Sequence, residues 1–213
     1  MKTAVFDLEG TLTAGETWKG VARYLEAHGK KAAYRRFFAL HLLGALLAKA
    51  GLIPKRPYQN LWMQNLARLF AGMTEDELFT LGGWVVENEL WPLRKERVLK
   101  RLVDLKEQGY RVVLASGTYQ PVLEAFAEKI GAEALGTPLE VKDGVATGRL
   151  AGPMNVGRAK AERVLEHLGH PPDLAFGDTA ADLPLLALAK TPAVVDPDPA
   201  LARAAEARGW ARV

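Results

Sequence analysis

The chain contains no cysteine among its 213 residues. That absence excludes a disulfide framework, a thiolate nucleophile and any zinc site built on sulfur. Only four histidines occur, scattered along the chain, which argues against a histidine zinc site as well. No apolar run reaches the roughly 20 residues that a membrane span needs, because His41 and Lys49 interrupt the stretch from Phe37 to Ile53. No secretory leader is expected, since Met1-Lys2-Thr3 passes directly into a strand, and the expected location is the cytoplasm. Low-complexity segments and internal repeats are absent too. What remains is 49% hydrophobic and 25% charged, the balance of a globular protein large enough for one full domain and a smaller insertion.

Net charge is small but unevenly spread. Residues 15–70 hold ten Lys and Arg against only Glu16 and Glu26, so this segment is about +8 and the rest about −5. A basic lobe beside acidic loops suits an anionic small-molecule substrate. Equally, Lys30, Lys31, Arg35 and Arg36 read as the solvated face of a helix. No nucleic-acid partner is expected, and the sequence leaves the oligomeric state open.

Punctuation divides the chain. Ala4-Val5-Phe6 is a buried-type strand. Helical stretches then run over 17–28, 30–50 and 56–71, ending at Gly29, Gly51 and Gly72, and a capping box at Thr74-Glu75-Asp76-Glu77 starts a fourth that reaches about Glu89. From Trp91-Pro92 the rhythm changes to helix alternating with strand: a helix to Gly109, strand 111–115, helix 121–130 and strand 174–176. Asp143-Gly144 between two β-type runs predicts a hairpin, and Asp198-Pro199 a helix start after a final strand at Val194-Val195. The expected architecture is an α/β core with a Rossmann-like parallel sheet, residues 1–14 and 91–213, carrying an inserted all-helical cap over 15–90. Within that cap, Phe37 to Ile53 reads as a buried helix, the alternative being an amphipathic helix lying on an anionic lipid surface.

Chemistry gathers at three strand ends. In an open parallel sheet the carboxyl ends of the strands form the ligand crevice. Here they carry Asp7-Leu8-Glu9-Gly10-Thr11-Leu12-Thr13, Ser116-Gly117-Thr118 and Gly177-Asp178, with Asp182 four residues on. Carboxylates from different strands make a hard-oxygen site suited to Mg²⁺, which usually keeps waters and shares a phosphate. Ser116, Gly117 and Thr118 precede a helix with Pro121 in its first turn, so hydroxyls, exposed N–H groups and a positive helix end converge on an anion. Lys160, on the early turns of a later helix, is the cation that would complete a clamp.

These motifs in this order, D-L-E-G-T-L-T, A-S-G-T, a lysine and G-D-T-A-A-D-L-P-L-L, with a helical insertion after the first, resemble the haloacid dehalogenase superfamily of aspartyl-phosphate phosphatases. The branch is the phosphoserine-phosphatase-like one, class IB, with a C1-type cap. The resemblance implies Asp7 as the nucleophile and Glu9 as the acid/base. It also implies Ser116, Gly117 and Thr118 as phosphate contacts and Lys160 as the charge-neutralising catalytic cation. Mg²⁺ would be held by Asp7, the Glu9 carbonyl and Asp178, with Asp182 ligating through water or supporting Asp178. Most relatives have Asp where this chain has Glu9, which lengthens the proton-transfer group by one methylene and leaves the carbonyl ligand unchanged.

Glu16 stands nine residues after the nucleophile, where phosphoserine phosphatases hold the substrate ammonium. Leu66, however, falls where they place the carboxylate-binding arginine, and Gln59 where they have an apolar contact; Arg68 is the nearby substitute. The expected activity is therefore Mg²⁺-dependent hydrolysis of a small phosphomonoester, phosphoserine-like or another phosphorylated metabolite. The alternatives are a phosphatase of a lipid head group such as phosphatidylglycerophosphate or lysophosphatidate, with peripheral membrane contact through the cap, a metal-free dehalogenase, and a non-catalytic phosphate-binding protein.

Overall fold

The computed structural model describes the backbone of residues 1–213 and all side chains except those of Lys55 and Arg56. Strand β1 (Thr3–Phe6) is buried along its whole length, which its apolar sequence requires. Helices α1 (Thr17–Ala27), α2 (Lys31–Lys49), α3 (Lys55–Leu66) and α4 (Glu75–Val85) follow. The expected third helix is α3 finished by a 3-10 turn over Ala67–Phe70, and the fourth continues beyond α4 as a π-helical turn over Val86–Leu90. Thr74 and Glu77 form the reciprocal capping box that their spacing predicts.

The remaining chain is α5 (Glu96–Glu107), β2 (Arg111–Tyr119), α6 (Gln120–Ile130), β3 (Glu133–Thr137), the hairpin β4 (Leu139–Lys142) and β5 (Val145–Leu150), α7 (Gly157–Leu168), β6 (Leu174–Gly177), α8 (Leu183–Leu188), β7 (Thr191–Val194), α9 (Pro199–Arg208) and β8 (Ala211–Arg212). Asp143 and Gly144 take positive φ at the hairpin turn, 51° and 76°, as a two-residue turn matched to strand twist demands. Six strands form one sheet in the order β3-β2-β1-β6-β7-β8, every recorded pair parallel. The chain order reverses at β1, between β2 and β6, so the ligand crevice lies above those three strands. Alternation along β1 splits the core: Ala4 and Phe6 pack with Leu114 and Phe176 on one face, Val5 with Val113 and Ala175 on the other.

Two expectations need correction. The strand expected to stop at Ala115 runs on to Tyr119, and β3, whose glutamate and glycine give it little β character, pairs beside it. The apolar run of α2 is not buried: only Tyr34, Phe37 and Ala48 are enclosed, because α1 and α3 cover a single side of the helix. Among the described residues no helix is long and apolar enough to cross a membrane.

Candidate active site

Phe6 and Phe176 stack with ring centroids 4.2 Å apart and planes 4° from parallel, binding the ends of β1 and β6 to each other. The Asp7 N–H continues that register by donating to the Phe176 carbonyl at 3.0 Å. Asp7 and Asp178 are thereby fixed on neighbouring strand ends. Gly10 lets them approach: its φ is +88°, and a Cβ there would meet Asp178 Oδ2 at 2.0 Å, so a side chain is excluded on both counts.

Lys160 rises from the first turns of α7, buried, and its Nζ donates to Asp7 Oδ1 and Asp182 Oδ1, each at 2.7 Å. Burial opposes its charge, but the two carboxylates outweigh burial and hold it firmly protonated. The second oxygen of Asp182 accepts from the Thr179 N–H at 3.1 Å and the Thr179 hydroxyl at 3.0 Å. Both Asp182 oxygens are therefore occupied, which makes it the brace of Lys160 and the β6 loop. Burial works against the Asp182 charge, but Lys160 and the Thr179 bonds hold the Asp182 pKa below its usual value.

Asp178 differs. Its one recorded side-chain hydrogen bond is from the Thr11 hydroxyl at 3.3 Å, and burial together with the charges of Asp7 and Asp182 pushes it up to about 8. Asp7 is raised as well, chiefly by burial, in spite of Lys160. One buried ammonium thus faces three carboxylates whose oxygens lie within 4.8 Å of one another. Such a cluster is short of positive charge, and hard oxygen donors from Asp7 and Asp178 fit a divalent cation such as Mg²⁺.

Glu9 points toward the cap. Its Oε1 accepts the Thr17 N–H at 2.9 Å and the Thr118 hydroxyl at 3.0 Å. Desolvation raises its pKa, the bonds from Thr17 and Thr118 partly offset this, and the nearby Glu16 charge adds to the rise. A carboxyl group buried among donors, with a raised pKa, is equipped to give and take a proton. The hydroxyl of Thr118, a residue the resemblance places at the phosphate, thus anchors Glu9.

Ser116 to Thr118, the expected anion cradle, lie on an irregular stretch of β2. Ladder pairing with β3 shifts between Ala115 and Tyr119, which releases the peptides of Ser116 to Thr118 from regular bonding. The Thr137 hydroxyl holds the Gly117 carbonyl at 2.8 Å and itself accepts the Asn155 N–H at 3.1 Å. Thr137 and Asn155 carry no motif signal and are legible only once β3 is known. Lys95, equally silent in sequence, donates to the Gly10 carbonyl and to Asp196 at 2.9 Å, and its charge restrains the rise at Asp178.

Asp7, Asp178, Asp182 and Lys160 are brought into direct contact or within a few ångströms, and Glu9, Ser116 and Thr118 form a hydrogen-bonded chain, with Ser116 Oγ 3.4 Å from Thr118 Oγ1. The two cap residues are placed differently. Glu16 is spent on Lys19 at 3.1 Å and on the Trp18 indole. Arg68 sits on the 3-10 turn, its backbone against Gly148, lining a groove of about 750 Å³ with Gln64, Thr147 and Arg149. Leu66 is fully buried. A further carboxylate escaped the sequence reading: Glu89, buried in the π-turn, pairs with Arg23 at 2.5 Å and accepts the Glu16 N–H at 3.5 Å.

The profile of haloacid dehalogenase-like hydrolases matches residues 4–187. Among characterised sequences, the phosphoserine phosphatase SerB1 of Mycobacterium tuberculosis is 29% identical over 228 residues, covering 97% of this chain and 68% of that protein. A probable phosphatase of the same organism is 26% identical over 220 residues, covering 97% and 73%. A Bordetella pertussis Tohama I protein of unknown function superposes with a TM-score of 0.82 at 23% identity, covering all of this chain and 97% of that one. A phosphoserine phosphatase in its apo form superposes with a TM-score of 0.61 at 20% identity, covering 95% and 90%. Fold, strand-end motifs and sequence similarity agree, and the chain belongs to the haloacid dehalogenase-like hydrolase family.

Proposed function

We propose that the protein is a cytoplasmic, Mg²⁺-dependent phosphomonoester hydrolase that works through an aspartyl-phosphate at Asp7. The observation that carries this reading is the buried Lys160 ammonium clamped between Asp7 and Asp182 at the mouth of β1, β2 and β6. Lys160 fixes the rotation of the Asp7 carboxylate and neutralises the charge that accumulates as phosphate approaches. An Asp7 oxygen forms the bond to phosphorus, and the bond from phosphorus to the ester oxygen breaks. Glu9 gives its proton to the departing alkoxide. In the second half Glu9 takes a proton from water, the water oxygen bonds to phosphorus, and the bond to Asp7 breaks to release inorganic phosphate. Ser116 and the Gly117 peptide receive the phosphoryl oxygens. Asp7, Asp178 and the Glu9 carbonyl would hold a divalent cation, which when bound would supply Lewis-acid stabilisation of the developing charge.

The substrate class is a small organic phosphate. Glu16 engaged by Lys19 and Arg68 seated against the hairpin do not favour phosphoserine over other phosphomonoesters, since a carboxylate-bearing substrate needs a well-placed cation. The test is phosphate release from phosphoserine, histidinol phosphate, glycerol phosphate and phosphatidylglycerophosphate with Mg²⁺, with EDTA, and with Asp7→Asn. Release from at least one substrate that stops with EDTA and with Asp7→Asn supports the reading. Release that persists in either case overturns it.

A further inference from the structure

Residues 37–48 of α2 hold no Asp, Glu, Lys or Arg, and apart from His41 the helix is apolar over that stretch. One side is accounted for: the Tyr58 hydroxyl reaches the His41 carbonyl, Gly44 lies against the Tyr58 ring, and Phe37 meets Trp62 with centroids 5.0 Å apart. The other side faces solvent, with Leu40 76%, Leu43 69% and Leu46 53% exposed, and Leu52 just beyond the helix 72% exposed. Leu40, Leu43 and Leu46 follow at three-residue spacing on one side of the helix, with Ala39 and Leu42 exposed beside them, so together they form an apolar band. Helices apolar on every side normally have every side covered.

Charge identifies the covering. Lys31, Arg35 and Arg36 stand exposed at the start of α2 and Lys49 at its end, bracketing the band. No Asp or Glu occurs between Glu26 and Glu75. A second copy of this chain laid on α2 would set cations against cations, in either direction, with no acid from the same segment to relieve them. An anionic bilayer meets both requirements: acyl chains for the leucines and headgroups for the bracketing cations.

We propose that the outer face of α2 is a lipid-docking surface that seats the cap on an anionic membrane. The leucine band enters the headgroup–acyl boundary while Lys31, Arg35, Arg36 and Lys49 contact the phosphates. Binding is peripheral and reversible, and it weakens with salt, because much of it is Coulombic.

The full-length protein is co-sedimented with vesicles of phosphatidylcholine alone and of phosphatidylcholine mixed with phosphatidylglycerol. Pelleting with the mixed vesicles only, reversed at high salt, is expected. Arg35→Gln/Arg36→Gln should bind the mixed vesicles roughly thirtyfold more weakly, at about 1 kcal/mol per basic residue. Leu40→Gln/Leu43→Gln should abolish binding with no change in melting temperature or in hydrolysis of a soluble aryl phosphate. Three results overturn the proposal: wild-type protein that stays in the supernatant, pelleting that is indifferent to Leu40→Gln/Leu43→Gln, or a dimer by light scattering that this double substitution converts to monomer.

Discussion

The Glu9 carboxylate accepts the Thr17 N–H at 2.9 Å, so the group proposed as acid/base also satisfies a free donor at the start of α1. Helix N-termini expose N–H groups that need acceptors, and α1 has no side-chain cap of its own at Glu16. Glu89 takes the N–H of Glu16, one residue earlier. Two carboxylates therefore hold consecutive peptides where the cap leaves the core.

This double duty separates two substitutions. Glu9→Gln keeps an oxygen for Thr17 and Thr118 but cannot transfer a proton. It should lower kcat by about 10²–10⁴-fold with little change in KM or melting temperature. Glu9→Asp keeps the acid but retracts it by one methylene from Thr17. It should retain more turnover than Glu9→Gln and lose about 0.5–2 kcal/mol of stability, the usual worth of a cap. Steady-state kinetics and thermal melts on the same preparations decide both.

Thr118→Val removes a donor that lowers the Glu9 pKa. Glu9 then holds its proton to higher pH, so the limb of the pH–rate profile governed by Glu9 should move upward. A profile that keeps its position while kcat falls would return Thr118 to the role of phosphate ligand.

Thr137→Val unties the Gly117 carbonyl from β3. The cradle peptide is then free to rotate, and affinity for inorganic phosphate as a competitive inhibitor should fall by about 1–3 kcal/mol, the cost of losing a buried hydrogen-bond partner. Asp7 and Glu9 are untouched, so reactivity toward beryllofluoride, a mimic of the aspartyl-phosphate, should persist at raised concentration.

The strand-end chemistry was legible because each piece is local: an apolar run turning abruptly into a carboxylate marks Asp7 and Asp178, and one turning into a hydroxyl and a glycine marks Ser116, without knowledge of their neighbours. Helix boundaries were legible for the same reason, through Gly29, Gly51 and the Thr74 box. What escaped depends on pairing across the sheet or between lobes. β3 is a strand because β2 offers it an edge, not because Glu133 to Thr137 prefer extension. Thr137, Lys95 and Glu89 matter through partners 18 to 101 residues away. The burial expected of α2 failed on a different point, since apolar composition reports a need for covering and not the identity of the cover.

The metal-free protein should bear a pH-dependent penalty at Asp178. Its folded pKa, about 8, lies above that of an unfolded Asp. A raised carboxyl supports folding fully below the unfolded pKa, near 4, and that support is lost as pH rises through about 8. In EDTA, Asp178→Asn should therefore melt above wild type by a margin that opens from about pH 4 and levels off beyond about pH 8, at roughly 2–4 °C for each kcal/mol relieved in a chain of this size. Adding Mg²⁺ should raise the wild-type melting temperature and leave Asp178→Asn nearly unmoved, because the cation supplies the charge that the substitution makes unnecessary. A margin that does not vary with pH, or an equal Mg²⁺ response in both proteins, would remove Asp178 from the cation site.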